Sequence, residues 1–296
     1  MPIARGVSGR ASATPRPRLL YGWDIEDEQI ELALLPPSSR VLAAAGAGEL
    51  VAHLAAAGHE VVAVTANREQ LEYARRRSSG GPFEVGSAER VLDAGRKLIR
   101  AASPAWHRRR VRSLLTDASP QRVQQQWRQR FDNRTFRSVL HATMAPAGML
   151  AAAIQRDFST VLPAHFTDTV RARLDARLGM HPSPGNRFAW RLLAGEDPPG
   201  YAPPVAPDGA IDFVASDALS HLESVAPASY DAVTLSNVAD GTRADVVERL
   251  GRAARRAVVP GGPIIVRSFA PTADARASAL ADDDRSLVWG GIHVQH

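Results

Sequence analysis

From Val41 onward the chain alternates short, wholly apolar runs with amphipathic ones. VLAAA is followed by a glycine turn, a helix-like stretch near Glu49 to Ala57, the run EVVAVT, and a second helix-like stretch near Arg68 to Arg77. Apolar strands separated by helices are the mark of a parallel α/β sheet covered on both faces. SSGGP, at Ser78 to Pro82, ends that rhythm. Between Phe83 and Asp208 strand-like runs are few, and arginine-dense segments such as AWHRRRVRSLL and DTVRARLDARLG carry helical periodicity. The sheet pattern then resumes: IDFVAS, a short helix DALSHLESV, YDAVTLSNV, a helix ADVVERLGRAARRAVV, GGPIIVRSFA, and LVWGGIHVQ as a further edge strand.

The pattern predicts a Rossmann-like, doubly wound sheet of methyltransferase type with five or six strands, interrupted by a large helical insertion. Its expected parts are a flexible tail over 1–18, a first sheet segment over 19–82, a helical insertion over 83–208 on the acceptor side, and a second sheet segment over 209–296. Ligands of such sheets bind at the carboxyl ends of the strands, at the switch point beside the first strand.

Composition narrows this picture. The chain has 296 residues, enough for a substantial core, and no cysteine, which removes disulfides, thiolate metal sites and thiol nucleophiles. Lys97 is the only lysine among 36 basic residues, so the high isoelectric point reflects arginine, and a net charge of +5 is modest. Nucleic acid is therefore not an expected partner, and Trp106, Trp127 and Phe131 read as a core stripe beneath basic helix faces. No apolar run is long enough to span a bilayer, which leaves at most peripheral membrane contact, and a cytoplasmic location is expected.

Ala45, Gly46 and Gly48 form the turn after the first strand, where glycine permits positive φ and close approach of a ligand to helix N-terminal amides. A dinucleotide fingerprint requires a third small residue that neither Val51 nor His53 supplies, so a mononucleotide or S-adenosylmethionine loop fits better. The second strand ends on Thr65, where such sites usually carry an acid for the ribose; Asn67 or Glu69 could substitute. Asp217 and Ala218 follow the third strand, where a carboxylate reads an adenine amino group or simply caps a helix. Ser236 and Asn237 close the fourth strand. Arg267 lies inside a buried strand and needs an anion, either a substrate carboxylate or a structural partner such as Asp231 or Asp212. The DDD run at 282–284 reads as a solvated turn. There is no metal-ligand spacing and no nucleophile elbow, and no metal is expected.

Tyr21-Gly22 with Glu26-Asp27, AAAGAGE followed by AVTANREQLEYA, RFDNRTFRSVL, NRFAWRLLAGEDPPG, and YDAVTLSNV with PGGPIIVRS resemble, in order and spacing, the betaine-lipid synthase A family. These are S-adenosylmethionine-dependent 3-amino-3-carboxypropyl transferases. The resemblance runs from about Leu19 to Val294, with Thr65 in place of the family's acid and Ile25 in place of its tryptophan. It implies transfer of the aminocarboxypropyl group of S-adenosyl-L-methionine to a hydroxyl oxygen, with release of 5′-methylthioadenosine. The chain is also similar to enzymes that place this group on a phenol of a nocardicin-type β-lactam precursor, which is the acceptor expected here. Diacylglycerol is the alternative acceptor, and methyl transfer the alternative reaction. On this resemblance Ala45, Gly46, Gly48, Thr65, Asn67, Gln70, Asp217, Ala218, Ser236, Asn237 and Arg267 would hold the donor, and Tyr21 or Asp132 would face the acceptor.

Overall fold

The computed structural model of the chain describes residues 18–144 and 166–296; all but one residue of the expected tail lies outside them. A short helix α1 (Glu28–Leu34) precedes β1 (Arg40–Ala44), α2 (Glu49–Ala56), β2 (Glu60–Val64) and α3 (Arg68–Ser78). Helices α4 (Ser87–Ala102), α5 (Arg108–Leu115), α6 (Pro120–Gln126), α7 (Arg134–Met144) and α8 (Phe166–Leu178) follow, with π-helical turns at Trp127–Phe131 and Trp190–Ala194. The sheet resumes with β3 (Ile211–Val214), α9 (Ala218–Ser224), β4 (Ala232–Thr234), α10 (Ala244–Ala257), β5 (Ile264–Ser268), α11 (Ala275–Asp283) and β6 (Gly291–Gln295).

These strands form one six-stranded sheet in the order β3-β2-β1-β4-β5-β6, parallel except for β6, which runs antiparallel to β5. The order reverses between β1 and β4, which are paired at Leu42 and Val233. The arrangement is α/β and compatible with a Rossmann-like fold. Period-two alternation divides the strand side chains between the two faces. Val41, Ala43, Val61 and Ala63 pack with Leu50, Leu54 and Leu71 of α2 and α3, whereas Leu42, Val62, Val64 and Val233 pack with Leu222, Leu250 and Ala254 of α9 and α10. Because both faces are covered, the strands read as continuous apolar runs.

The stretch between β2 and β3 contains helices but no strand among its described residues. It has a core in which Trp106, Trp127, Phe131, Phe136, Leu178 and Trp190 are all buried, joined by Leu287 of the C-terminal segment. Trp106 stacks on Phe136 at 4.8 Å and meets Trp127 edge-on at 5.9 Å. Trp106, Trp127 and Phe131 thus form a core stripe. Among the described residues, no helix is long and apolar enough to cross a membrane.

Two elements are additional to the sequence pattern. Helix α1 begins at Asp27, whose side chain accepts from the Gln29 amide, and packs Ile30 against Ile265, Trp289 and Ile292. Helix α11 ends in the DDD run, and here the expected solvated turn is corrected. Asp282 pairs with Arg177, and Asp284 is fully buried beside Arg267.

Candidate functional site

At the end of β1 the backbone turns through Gly46 (φ 51°) and Gly48 (φ 95°), both in the left-handed region that glycine tolerates. The amides beyond this turn are bound by the protein itself. The Asp24 carboxylate accepts from Ala47 through Oδ1 and from Glu49 (2.8 Å) and Leu50 (2.9 Å) through Oδ2. It thereby caps the positive end of α2. A β-carbon at Gly46 would overlap Asp24 Oδ1, and one at Gly48 would overlap the Ala74 carbonyl of α3. Both glycines are therefore required by close approach within the chain. Burial pushes the Asp24 carboxyl up to about 7, helped by the nearby charges of Glu26 and Glu49 and opposed by the amide bonds.

Asp24 belongs to a strap, residues 19–27, tied to groups at the strand ends. Gln70, buried on α3, uses its whole carboxamide on it: Oε1 accepts from the Leu20 and Tyr21 amides, and Nε2 donates to Tyr21 O and to Gly46 O (2.8 Å). The Glu89 carboxylate of α4 accepts from the Gly22 and Trp23 amides, and the Tyr73 hydroxyl donates to Gly22 O. Tyr21 lies half-buried against this arrangement, beside Leu19, Ala47 and Tyr73. Asn67 is the N-cap of α3; its Oδ1 accepts from Glu69 and Gln70, and its Nδ2 donates to Arg18 O. Thr65 is half-buried and accepts from the Asn67 amide. Asn67 and Gln70 thus hold the frame of the site, and the Gln70 carboxamide has no spare group for a ribose.

The strap's far end reaches β4. Ser236, two residues beyond that strand, has φ 51°, an uncommon backbone state for a residue with a side chain, and its hydroxyl donates to Glu26. Asn237 follows it, half-buried. Asp217 caps α9 by accepting from Ser220 and is solvent-exposed, with its carboxyl below the usual range because of that backbone bond. Ala218 is the first residue of that helix.

Arg267 departs from the expected role. Its side chain is 0% exposed; its guanidinium donates twice to Glu31 (Nη2 to Oε2, 2.9 Å) and lies 3.5 Å from Asp284. Glu31 also accepts from the Thr234 hydroxyl. The partners are thus Glu31 and Asp284, rather than a substrate carboxylate or Asp231 or Asp212. An isolated buried guanidinium is prohibitively costly, so the fold surrounds it with carboxylates. Asp132 is also held by arginines. It joins a π-helical turn to α7 and is bound by Arg137 and by Arg171 (2.8 Å), so its carboxylate is engaged inside the helical stretch.

Three further ion pairs join the helical stretch and the C-terminal segment to this end of the sheet. Glu49, the first residue of α2, accepts from Arg191 (2.9 Å) and Arg77 (2.9 Å) and is 1% exposed. Burial alone would raise its carboxyl, but the facing Arg191 holds it below the usual range. Arg187 pairs with Glu28, and Arg285 donates from Nε to Asp27 at 2.7 Å. The Arg191 guanidinium also faces the rings of Trp23 (5.2 Å) and Tyr201 (5.3 Å), and Trp23 stacks on Phe83 at 4.5 Å. The Trp23 Nε1 and Tyr201 hydroxyl groups are buried without a hydrogen-bond partner. Elsewhere, a cavity of about 400 Å³ lies among the helices, lined by Arg110, Ser113, Arg130 and Phe131.

The strand ends thus bring together Ala45, Gly46, Gly48, Thr65, Ser236 and Asn237, with Tyr21 above them; they do not bring Asp132 or Arg267 to an open surface. Asp24, Glu26, Glu49, Glu89 and Arg191 lay outside the sequence expectations as site groups. The available signal was the acid-dense run WDIEDEQIEL in an arginine-rich chain. No family model, curated protein or solved structure matches the chain. Fold and site together define an α/β protein with a six-stranded, mostly parallel sheet and a glycine turn at its switch point.

Proposed function

We propose that the protein is an S-adenosyl-L-methionine-dependent 3-amino-3-carboxypropyl transferase whose acceptor is a phenolic hydroxyl of a small molecule of nocardicin type. The observation that carries the reading is the glycine turn at the β1/β4 switch point, bordered by polar strand ends at Thr65, Ser236 and Asn237. The strained Ser236 adds to it, because such backbone states concentrate at ligand sites. The sequence resemblance supplies the transferred group.

In the reaction the acceptor oxygen attacks the γ-carbon of the methionine moiety. The new bond is oxygen to γ-carbon, the bond broken is sulfur to γ-carbon, and the hydroxyl proton passes to solvent or a base. The sulfonium supplies its own leaving group, so the protein's work is mainly orientation. Gly46, Gly48 and the β4 end would hold the nucleoside and sulfur. Phe83 and Tyr201, both half-buried beside Trp23 and Arg191, offer aromatic surface suited to an aryl acceptor, whereas the Arg191 guanidinium is committed to Glu49 and Asp197. A phenol near pKa 10 needs less help from a base than an alkyl alcohol does.

The nucleoside product tests the reading. Incubation with S-adenosylmethionine and a phenolic acceptor should yield 5′-methylthioadenosine in a one-to-one ratio with alkylated phenol. S-adenosylhomocysteine would mean methyl transfer instead, and product formed only with diacylglycerol would move the acceptor to the lipid.

A further inference from the structure

In a dinucleotide-binding sheet the glycine turn and the helix behind it leave amides free for a pyrophosphate. Here the Ala47, Glu49 and Leu50 amides all donate to Asp24, which is 3% exposed. A phosphate at this turn would have to displace that carboxylate. Glu26, whose charge acts on Asp24, and Glu89, which holds the adjoining Gly22 and Trp23 amides, are buried as well, at 9% and 6% exposure. Among the described residues, Asp24, Glu26 and Glu89 have no cation within ion-pair distance, whereas Glu49 is matched by Arg77 and Arg191, Glu28 by Arg187, and Glu31 by Arg267. Three buried carboxylates without a counter-ion are an unusual surplus in a chain of net charge +5. On the same strap, Trp23 is 8% exposed and its indole N–H is unpartnered.

We propose that Asp24 is a specificity residue: by occupying the amides of the glycine turn it excludes nucleoside phosphates and, with Glu26 and Glu89, makes the strand-end site select a positively charged nucleoside. The sulfonium part of this inference rests on the function proposed above; the exclusion of phosphates does not. A carboxylate already seated on the amides cancels the positive field that an anion would seek, and it presents negative charge to a cation in a site shielded from water. Gly46 fits this role because any side chain there would push Asp24 off the turn.

Calorimetric titration of the full chain and of Asp24→Asn and Asp24→Ala at about pH 8, where Asp24 is ionised, tests it, with S-adenosylmethionine, the uncharged thioether S-adenosylhomocysteine, ADP and inorganic pyrophosphate as probes at low salt. The wild type should bind the sulfonium about tenfold more tightly than the thioether and show no heat with ADP or pyrophosphate. Asp24→Asn should bring the sulfonium-to-thioether ratio close to one, and Asp24→Ala, with the amides uncovered, should gain pyrophosphate binding. Pyrophosphate binding as tight to the wild type as to Asp24→Ala overturns the inference, as does a wild type that binds the thioether as well as the sulfonium. The two wild-type comparisons stand even if a variant fails to fold. Should neither adenosyl compound bind while Asp24→Ala alone takes up pyrophosphate, the donor reading fails and the exclusion of phosphates stands.

Discussion

At the scale of single residues, the glycine turn carries two different demands. Gly46 and Gly48 both hold positive φ, but the obstacle to a side chain at Gly46 is a carboxylate that can move, and at Gly48 it is the backbone of α3. Gly46→Ala should therefore destabilise the protein by about 1–3 kcal/mol, combining left-handed strain with displacement of Asp24. Gly48→Ala should cost more, and adding Asp24→Ala should lessen the penalty of Gly46→Ala but not that of Gly48→Ala; a double-mutant cycle by urea denaturation measures both. Asp24 also sets a pH dependence with a definite sign. Its folded value of about 7 lies above its ordinary one, so the folded state holds more protons than the unfolded state between about pH 4 and 7, and its contribution to stability falls as pH rises through that window. The charges acting on it are Glu26 on the strap and Glu49 on α2, with Tyr73 of α3 in its field; Glu49 is itself matched by Arg77 and Arg191, and Glu89 of α4 holds the neighbouring strap amides. Buried Asp284, pushed up to about 6, adds a loss of the same sign. Asp24→Asn should make the decline in denaturation midpoint from pH 4 to 7 shallower; an unchanged slope would show that Asp24 is an ordinary carboxylate.

At the scale of elements, α1 is the example of a helix made by its tertiary partners. Seven residues are too few for an autonomous helix. It is held by the Asp27 cap, by Ile30 in the β5–β6 core, and by Glu31 between Thr234 and Arg267. Removing one member of a fully buried pair leaves the other charge stranded, so Arg267→Met alone should destabilise by about 3–5 kcal/mol. The double variant with Glu31→Leu should recover much of that loss, despite the extra Asp284 charge. Thermal denaturation of the single and double variants is the measurement, and additive losses would count against a paired role. Asn67 and Gln70 teach the same lesson for α3. They are expected as donor-holding residues, yet one caps the helix and the other spans from the strap to the Gly46 carbonyl.

At the scale of the molecule, the helical stretch has a hydrophobic core that takes in Leu287 and is joined to the sheet by buried charge. Glu49 is the junction, because the first turn of α2 receives Arg191 from a π-helical turn and Arg77 from α3. The wild type should accordingly unfold in one transition, with tryptophan fluorescence, weighted toward Trp106, Trp127 and Trp190 of the helical core, coinciding with far-ultraviolet circular dichroism. Arg191→Met should strand Glu49 and separate the two signals, the helical core melting apart from the sheet. Coincident curves in that variant would show that apolar contacts alone couple the two parts. Acid should weaken the same junction: the Glu49, Glu28 and Asp27 carboxyls lie below their ordinary values, so their stabilisation is present above about pH 4.5 and lost as pH falls further.

What the sequence by itself determined was the part governed by short-range periodicity. Apolar runs broken by glycine and capping residues place β1, α2, β2 and α3 within a residue or two of their observed bounds, and separate a strand-rich end from a helix-rich middle. The glycine turn, the strand-end Ser236 and the core role of Trp106 and Trp127 were legible for the same reason. Only the tertiary structure decided where charge is neutralised. Arg267 looked like a ligand group because its partner Glu31 is 236 residues away, and Asp284 looked solvated because no local pattern reveals that an exposed-type triplet ends against that guanidinium. Asp24 was invisible for a related reason: a carboxylate 23 residues upstream of the turn gains its meaning only when the strap folds across the strand ends. Periodicity records which side of an element faces the core, whereas the pairing of buried charges is decided by which elements meet, and that is a property of the whole fold.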